Sequence, residues 1–343
     1  MVIMSYKVTL QPSEHTFEVE ENELILDAAL RQGVGFPYGC RSGSCGTCLG
    51  KVVSGEIEYP QGLPLTVMEH EHEQGKAVFC VSIAKSDLVL EVKEVTSSSD
   101  IEIKLLPARV ISLRKLADDV MEMQLKLPES ERLPFRAGQY IEFIMRDKSR
   151  RAFSIANSPS NDEYLELHLR HVPDGKFTDH VFSEMKEKAL VRIEGPYGSF
   201  HVRENSNRPL ILVAGGTGFA PIKAMIEQLI EQADTRPIHL YWGARAKADL
   251  YRADLAEKWA FQYPHIEYIP VLSDLEEGSD WEGKTGYVHD TVAEDFADLS
   301  GHDVYLAGPP IMIDAAKAAF AKQGLPEDQI FSDAFEYAAE KEA

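Results

Sequence analysis

The four cysteines of the chain restrict its fold more than any other feature. Three of them stand close together as Cys40-x4-Cys45-x2-Cys48, and Cys80 follows in a later segment. Three thiolates on one loop with a fourth from elsewhere is the plant-type [2Fe–2S] ligand spacing. The sequence therefore predicts that these four residues are metal ligands.

Other uses of the cysteines fit less well. A structural zinc site would need two close pairs, and Cys80 has no cysteine near it. Two disulfides would suit a small secreted domain, whereas this chain has 343 residues. Gly39, Gly43 and Gly46 interleave with the cysteines, and a backbone that closely surrounds a cluster needs such residues. The cluster is the preferred interpretation.

Charge and hydropathy exclude several classes of function. The formal net charge of −21 would repel the phosphates of a nucleic acid. We find no run of 18 apolar residues, so no membrane span is expected. The first ten residues alternate like a strand and lack the basic and apolar regions of a secretory signal. These features predict a cytoplasmic protein.

The residue pattern changes twice along the chain and predicts three domains. Residues 1–97 combine short strands with one helix and the cysteine loop, and this segment resembles a β-grasp ferredoxin. Residues 98–205 contain short alternating strands, which predict a β-barrel. Residues 206–343 alternate strands with helices, which predicts an α/β domain with a parallel sheet. The polar segment 96–100 is the best candidate for a linker. The predicted fold class is therefore a multidomain protein that combines α/β and all-β domains.

Two motifs suggest cofactor binding but do not establish it alone. Residues 214–221 read Ala-Gly-Gly-Thr-Gly-Phe-Ala-Pro and follow an apolar strand. A glycine turn that opens a helix can hold a pyrophosphate, or can be only a tight connection. Arg151-Ala-Phe-Ser154 has an arginine for a phosphate, an aromatic for a planar ring and a hydroxyl for a ring nitrogen, although it also fits a plain barrel strand.

The order of the motifs identifies a family. Arg151-x-Phe-Ser154, Gly175-x-x-Thr178, Gly195-Pro-Tyr-Gly198, Gly215 to Pro221, Gly243-x-Arg245, Gly308-Pro-Pro310 and Phe335 follow one another along the chain. This series resembles the ferredoxin–NADP+ reductase superfamily. With its N-terminal ferredoxin, the chain is similar to the reductase components of phenol, toluene and methane monooxygenases. It is equally similar to CDP-6-deoxy-Δ3,4-glucoseen reductase.

The resemblance implies a role for each motif residue. Residues implied to bind FAD are Arg151, on its pyrophosphate, Ala152, Phe153, Ser154 near the flavin N5, His168 and Arg170 at the diphosphate arm, and Gly175 with Thr178 at the phosphates. Residues implied to bind the pyridine nucleotide are Gly215, Gly216, Thr217, Gly218, Pro221, Gly243 and Arg245. Gly308, Pro309, Pro310 and Met312 would lie beside the nicotinamide. Phe335 would shield one face of the flavin, and Ser154 and Phe335 are the expected catalytic residues.

The three cofactors together predict a protein that converts two-electron transfer into one-electron transfer. Nicotinamide gives up a hydride, a [2Fe–2S] cluster takes one electron, and FAD can do both. The expected route is NAD(P)H to FAD to [2Fe–2S] to a partner oxygenase or deoxysugar dehydratase. The alternative is an NAD(P)H:flavin reductase that acts on free flavin, for which the cysteine quartet would be superfluous.

Four smaller expectations complete the interpretation. Arg245 can meet a 2′-phosphate and Asp249 disfavours one, and relatives with a similar Gly-Ala-Arg segment use NADH, so NADH is expected. Ala307 stands where many relatives have a cysteine that assists hydride transfer, but a flavin reductase branch of the family also has alanine there, so the sequence leaves open whether that step is slower. Glu69-His-Glu-His-Glu73 lacks the spacing of a metal motif and is expected to be a solvated loop. His171 is expected to be structural.

Overall fold

The computed structural model describes residues 4–92, 94, 101–275 and 279–335. The chain divides into two compact units, residues 1–102 and residues 103–343. The predicted linker at 96–100, and the boundary expected between residues 97 and 98, lie outside the described residues.

The first unit is a mixed sheet with one packed helix. Its elements are β1 (Ser5–Gln11), β2 (Thr16–Glu20), α1 (Ile25–Arg31), β3 (Leu49–Ser54), β4 (Ile57–Glu58), α2 (Glu69–Glu73), β5 (Lys76–Val78), β6 (Ile83–Ala84) and β7 (Leu88–Glu91). The main sheet has the order β2-β1-β7-β3-β5, with β1 and β7 parallel. Val8 and Leu10 are fully buried and alternate with more exposed neighbours, and α1 buries Ile25 and Leu26, so both elements contribute apolar side chains to the core of this unit.

The segment Glu69–Glu73 is a short helix, so the expectation of a loop there was wrong. None of its residues is buried. Glu71 Oε2 accepts a hydrogen bond from the Met68 backbone N–H at 3.0 Å, and Glu71 Oε1 pairs with Lys76 Nζ at 2.6 Å. The first contact caps the start of the helix, and the second links Glu71 to β5 just after it. The alternating charges therefore adopt a helical arrangement that their spacing did not predict.

The second unit begins with an antiparallel lobe. It comprises β8 (Lys104–Ala117), β9 (Val120–Lys126), β10 (Tyr140–Ile144), β11 (Arg150–Ser154), β12 (Leu165–Arg170), α3 (Lys176–Ser183) and β13 (Leu190–Tyr197). The sheet order is β11-β10-β13-β8-β9-β12. Its edge strands meet just beyond β11, where Ile155 bridges Leu167 and the Ala156 N–H donates to Glu166 O at 2.7 Å. The sheet therefore curls around the core that contains Phe143 and Phe177.

A parallel lobe completes the second unit. Its elements are β14 (Leu210–Gly215), α4 (Phe219–Glu231), β15 (Ile238–Ala244), α5 (Ala253–Gln262), β16 (Ile266–Leu272), β17 (Lys284–Thr285), α6 (Val288–Asp295), β18 (Asp303–Gly308), α7 (Pro310–Lys322) and β19 (Ile330–Ala334). The order β17-β16-β15-β14-β18-β19 is parallel throughout. All six residues of β14 are buried, as expected of a central strand covered on both faces. Among the helices that the described ranges contain, none has both the length and the apolar composition needed to cross a bilayer.

Candidate functional site

The cysteine loop directs backbone N–H groups at its sulfur atoms. The N–H groups of Ser42 and Cys45 both lie 3.4 Å from Cys40 Sγ, and the N–H of Cys40 lies 3.4 Å from Cys45 Sγ. The turn depends on positive φ at Gly43 (+82°), where a Cβ would also press against Val81 at 2.9 Å. A loop that donates N–H groups to thiolate sulfur fits an anionic iron–sulfur cluster.

The four thiols contact one another and none is in a disulfide. Contact with Cys45 and Cys80 holds the pKa of Cys40 well below its ordinary value. Contacts with Cys40 and Cys48 raise the pKa of Cys80 well above it. Cys48 and Cys80 are almost fully buried, and Cys40 and Cys45 are partly exposed. The quartet thus has the sulfur donor set of a [2Fe–2S] cluster, with one side toward solvent.

The residues expected at FAD lie on β11, β12 and the start of α3. Phe153 packs 5.8 Å from Phe143 and 5.5 Å from Phe177, measured between ring centroids. Arg151 shares its face of the strand with Phe153, while Ala152 and Ser154 lie on the other face. Thr178 Oγ1 lies 3.1 Å from both the backbone N and the O of Val172, which fixes the turn that opens α3 at Gly175.

His168 and Arg170 occupy different surroundings although they share β12. His168 is buried, its Nε2 lies 2.9 Å from Glu166 Oε1, and its Nδ1 lies 3.1 Å from Tyr251 Oη. Burial lowers the pKa of His168, against the opposing effect of Glu166. Arg170 pairs with Asp119 at 3.1 Å, and a Cβ on Gly216 would lie 2.8 Å from its Nη1. Arg170 therefore borders the glycine turn of the parallel lobe.

Aromatic side chains support the glycine turn Gly215–Gly218. Gly216 O accepts a hydrogen bond from Trp242 Nε1 at 3.0 Å, and Phe219 stacks on Trp242 at 3.9 Å. A Cβ on Gly218 would lie only 2.0 Å from Ala307 O, so glycine alone permits this approach to β18. Of the other residues expected at the nucleotide, Gly215 ends β14 and Thr217 lies in the 3-10 turn Gly216–Gly218. Pro221 lies in the first turn of α4, and Gly243 lies on β15.

The carboxyl ends of the parallel strands gather the other expected nucleotide residues. Gly308 ends β18, and Pro309 and Pro310 start α7. Met312 Sδ would lie 2.5 Å from a Cβ on Gly215. Ligands of open parallel sheets bind at this edge. Arg245, just past β15, is exposed.

Phe335 and Ser154 are linked to the same edge through β19. The Phe335 N–H donates to Gly308 O at 2.9 Å. Ser154 Oγ donates to Asp333 Oδ2 at 3.4 Å, and both side chains are buried. The structure thus brings Ser154 of the antiparallel lobe beside β19 of the parallel lobe. The sequence did not identify Asp333, although its position two residues before Phe335 was a signal.

Sequence reasoning also missed a buried charge network between the two lobes. Lys223 Nζ, on α4, pairs with Glu227 Oε1 at 2.8 Å and Glu166 Oε1 at 3.1 Å, and donates to Ala156 O at 2.9 Å. Glu166 and Ala156 belong to the antiparallel lobe, so Lys223 fixes the helix after the glycine turn against it. A charged residue inside the apolar start of α4 was the available signal.

Glu122, Glu166 and His168 form a cluster whose ligand atoms lie within 4.8 Å of one another. Arg114 pairs with Glu122 at 2.6 Å and Arg252 lies 3.5 Å from the same carboxylate. Since Lys223 neutralises Glu166, the described cations already balance these carboxylates. The cluster is therefore an ion-pair network between lobes.

Three family models match successive parts of the chain. The 2Fe-2S iron-sulfur cluster binding domain matches residues 8–85, the oxidoreductase FAD-binding domain matches residues 107–202, and the oxidoreductase NAD-binding domain matches residues 212–318. The cysteine quartet, β11 with α3, and the glycine turn lie within these respective matches.

Relatives and solved structures match over nearly the whole length. The CDP-6-deoxy-L-threo-D-glycero-4-hexulose-3-dehydrase reductase of Yersinia pestis is 42% identical, over 97% of this chain and 99% of its own. The reductase component DmpP of phenol 2-monooxygenase from Pseudomonas sp. (strain CF600) is 38% identical, over 98% and 96%. The crystal structure of the Amycolatopsis cytochrome P450 reductase GcoB aligns with a TM-score of 0.82 at 31% identity, over 97% of this chain and 100% of that one. The chain belongs to the family of NAD(P)H-dependent iron–sulfur flavoprotein reductases, oxidoreductases that deliver electrons to a partner protein.

Proposed function

We propose that the physiological acceptor is the terminal component of an oxygenase or of a deoxysugar dehydratase, reduced by the [2Fe–2S] cluster of residues 1–97. Residues 98–205 hold FAD and residues 206–343 hold the pyridine nucleotide, for which NADH is the preferred form. The observation that carries the proposal is the cysteine quartet, because free flavin can be reduced without any cluster. Four reduced thiols also support a cytoplasmic location.

Each part of the chain has a defined task in this proposal. When bound, FAD accepts a hydride and releases the two electrons singly. Ser154 would supply its hydroxyl to bound FAD, and Asp333 holds that hydroxyl in place. The turn Gly215–Gly218 and the N-terminal end of α4 bind the nucleotide pyrophosphate through backbone N–H groups. Phe335, held at the end of β18 by its backbone N–H, would shield bound flavin from water in the absence of nicotinamide.

The remaining residues hold these groups in position. Trp242 fixes the carbonyl of Gly216, and Lys223 fixes α4 against the antiparallel lobe. Met312, packed on Gly215, would lie beside the nicotinamide of a bound nucleotide. Their positions favour a rigid arrangement in which substrate and flavin meet in a fixed geometry.

The cysteine quartet gives the deciding experiment. Cys45→Ser should abolish NADH-driven reduction of cytochrome c, while ferricyanide reduction, which the flavin can support directly, continues. Ser44→Ala, in the same loop, is the matched control and should retain both activities. If the Cys45→Ser protein reduces cytochrome c at the normal rate, the cluster is not on the route to the acceptor, and the chain acts as a reductase of diffusible acceptors.

A further inference from the structure

A segment of the first unit lies directly over the cysteine loop. Thr66 Oγ1 donates to Gly43 O at 2.6 Å, and a Cβ on Gly43 would lie 3.2 Å from Pro64 Cβ. Val67, next along the chain, is buried. Since Gly43 stands between Cys40 and Cys45, the inward side chains of this segment contact the loop that carries three of the four thiols.

The outward side chains of the same segment are large and apolar. Leu63, Leu65 and Met68 are 38%, 103% and 64% exposed. A single exposed leucine is ordinary, but three such residues within six positions form a cluster that water solvates poorly. We call these three residues the 63–68 patch. They lie on the outer side of the segment whose inner side touches the cysteine loop.

The border of the patch is acidic. Glu69 and Glu73 are exposed on α2, which begins immediately after Met68. The whole chain carries a formal charge of −21. An apolar centre with anionic side chains beside it is complementary to a protein surface with an apolar centre and a border of lysine and arginine.

We propose that the 63–68 patch is the docking face for the protein electron acceptor, and that the acceptor presents an apolar surface bordered by basic residues. This inference rests on the proposed function, because it assumes that electrons leave through the cysteine loop. Leu65 and Met68 supply the apolar contact that holds the complex, and Glu69 and Glu73 accelerate the encounter.

The apolar contact is tested with a double variant, Leu65→Gln with Met68→Gln. The probe is cytochrome c, a basic haem protein. The KM for cytochrome c should rise roughly tenfold, the loss expected for truncated apolar anchors, with little change in kcat. Ferricyanide reduction and the visible spectrum of the cluster should be unchanged. Leu190→Gln, which alters a side chain 76% exposed in the second unit, is the matched control.

The acidic border is tested by binding without turnover. Titration calorimetry of the oxidised protein with oxidised cytochrome c should give a weaker affinity for Glu69→Gln with Glu73→Gln, and a weaker dependence of that affinity on salt. Asp118→Asn, an exposed carboxylate of the second unit, is the control and should leave both quantities unchanged.

Two outcomes overturn the proposal. An unaltered KM and an unaltered affinity in the patch variants would mean that the acceptor binds elsewhere. Slower reduction of the cluster by NADH with no acceptor present would mean that the patch serves the second unit of the same chain. Both are distinct from failure of the proposed function, in which Cys45→Ser protein still reduces cytochrome c.

Discussion

Ser154 Oγ donates a hydrogen bond to Asp333 Oδ2 across 3.4 Å, although 179 positions separate the two residues in the chain. The serine ends β11 of the antiparallel lobe and the aspartate lies on the last strand of the parallel lobe. Both side chains are over 90% buried, so the bond is sheltered from competing water. The contact ties the strand expected at the flavin to the strand that leads to Phe335.

This contact predicts an order of activities among three variants. Ser154→Ala and Asp333→Ala should each slow flavin reduction by NADH about tenfold, an increase of ~1.4 kcal/mol in the barrier. Asp333→Asn keeps an acceptor oxygen and should slow flavin reduction by less than tenfold. The measurement is the rate of flavin bleaching after rapid mixing with NADH, with FAD content determined in each protein.

A matched control separates chemistry from folding. Ser112→Ala removes a hydroxyl from β8 and should leave the bleaching rate unchanged. If Ser154→Ala and Asp333→Ala lowered only the free energy of unfolding, with a normal bleaching rate, the pair would be structural.

The sequence predicted the local parts of this architecture well. Cys40, Cys45 and Cys48 lie on one loop, so their spacing in the sequence indicates a shared site without knowledge of the rest of the fold. The apolar run at 209–213 identified the central strand β14 because a strand covered on both faces has no polar position. The family resemblance and the cofactors were confirmed by the comparisons.

The missed residues act through contacts that no local pattern records. Asp333, Glu166 and Lys223 are charged side chains, and the contacts Ser154–Asp333 and Glu166–Lys223 join residues that are distant in sequence and meet only when the two lobes pack. Periodicity reports which face of an element is buried, and a buried charge contradicts that pattern. The helix at Glu69–Glu73 was missed because it is supported by a side-chain cap and one ion pair of Glu71 rather than by apolar spacing.

Lys223 predicts a large effect on stability. Lys223→Met removes the cation between Glu166 and Glu227 and leaves the buried Glu166 and the partly buried Glu227 without it, which should lower the free energy of unfolding by about 3–5 kcal/mol. The measurement is urea unfolding of the FAD-loaded protein. Lys258→Met, on the exposed side of α5, is the matched control.

A second variant separates charge from packing in this network. Lys223→Met combined with Glu166→Gln removes both members of a pair, and should recover part of the loss because fewer charges stay uncompensated. A double variant no more stable than Lys223→Met would show that the uncompensated charge of Glu166 is not what destabilises the Lys223→Met protein.

Phe335 is predicted to control access of the nicotinamide. Its backbone N–H is bound to Gly308 O at 2.9 Å, which places the residue at the end of β18. Phe335→Ala should change the KM for NADH and the preference between NADH and NADPH by several fold, with FAD content unchanged, since the ring competes with nicotinamide for one position. Phe261→Ala, which alters an exposed ring on α5, is the control. Loss of FAD would instead show that Phe335 fills a structural gap.

His201 predicts a pH dependence of stability. Burial, with the nearby charge of Arg203, lowers the pKa of His201 from 6.5 to about 4. Arg203 Nη1 donates to His201 Nε2 at 3.0 Å, which requires a neutral ring. Below pH 6.5 the unfolded chain therefore binds a proton at His201, whereas the folded chain binds it only near pH 4. The stability that this difference contributes is present above pH 6.5 and is lost as the pH falls toward 4. Between pH 7 and pH 5 the loss from this residue is about 2 kcal/mol.

The pH prediction is checked by urea unfolding at several values between pH 7 and pH 5. His201→Gln cannot take up the proton, and its stability should fall about 2 kcal/mol less over that range than that of the unaltered protein. The variant should also be less stable at pH 7, since the contact with Arg203 is disturbed. His70→Gln, which alters an exposed histidine on α2, is the control and should follow the unaltered protein. Equal slopes for His201→Gln and the unaltered protein would show that His201 titrates alike in the folded and unfolded states.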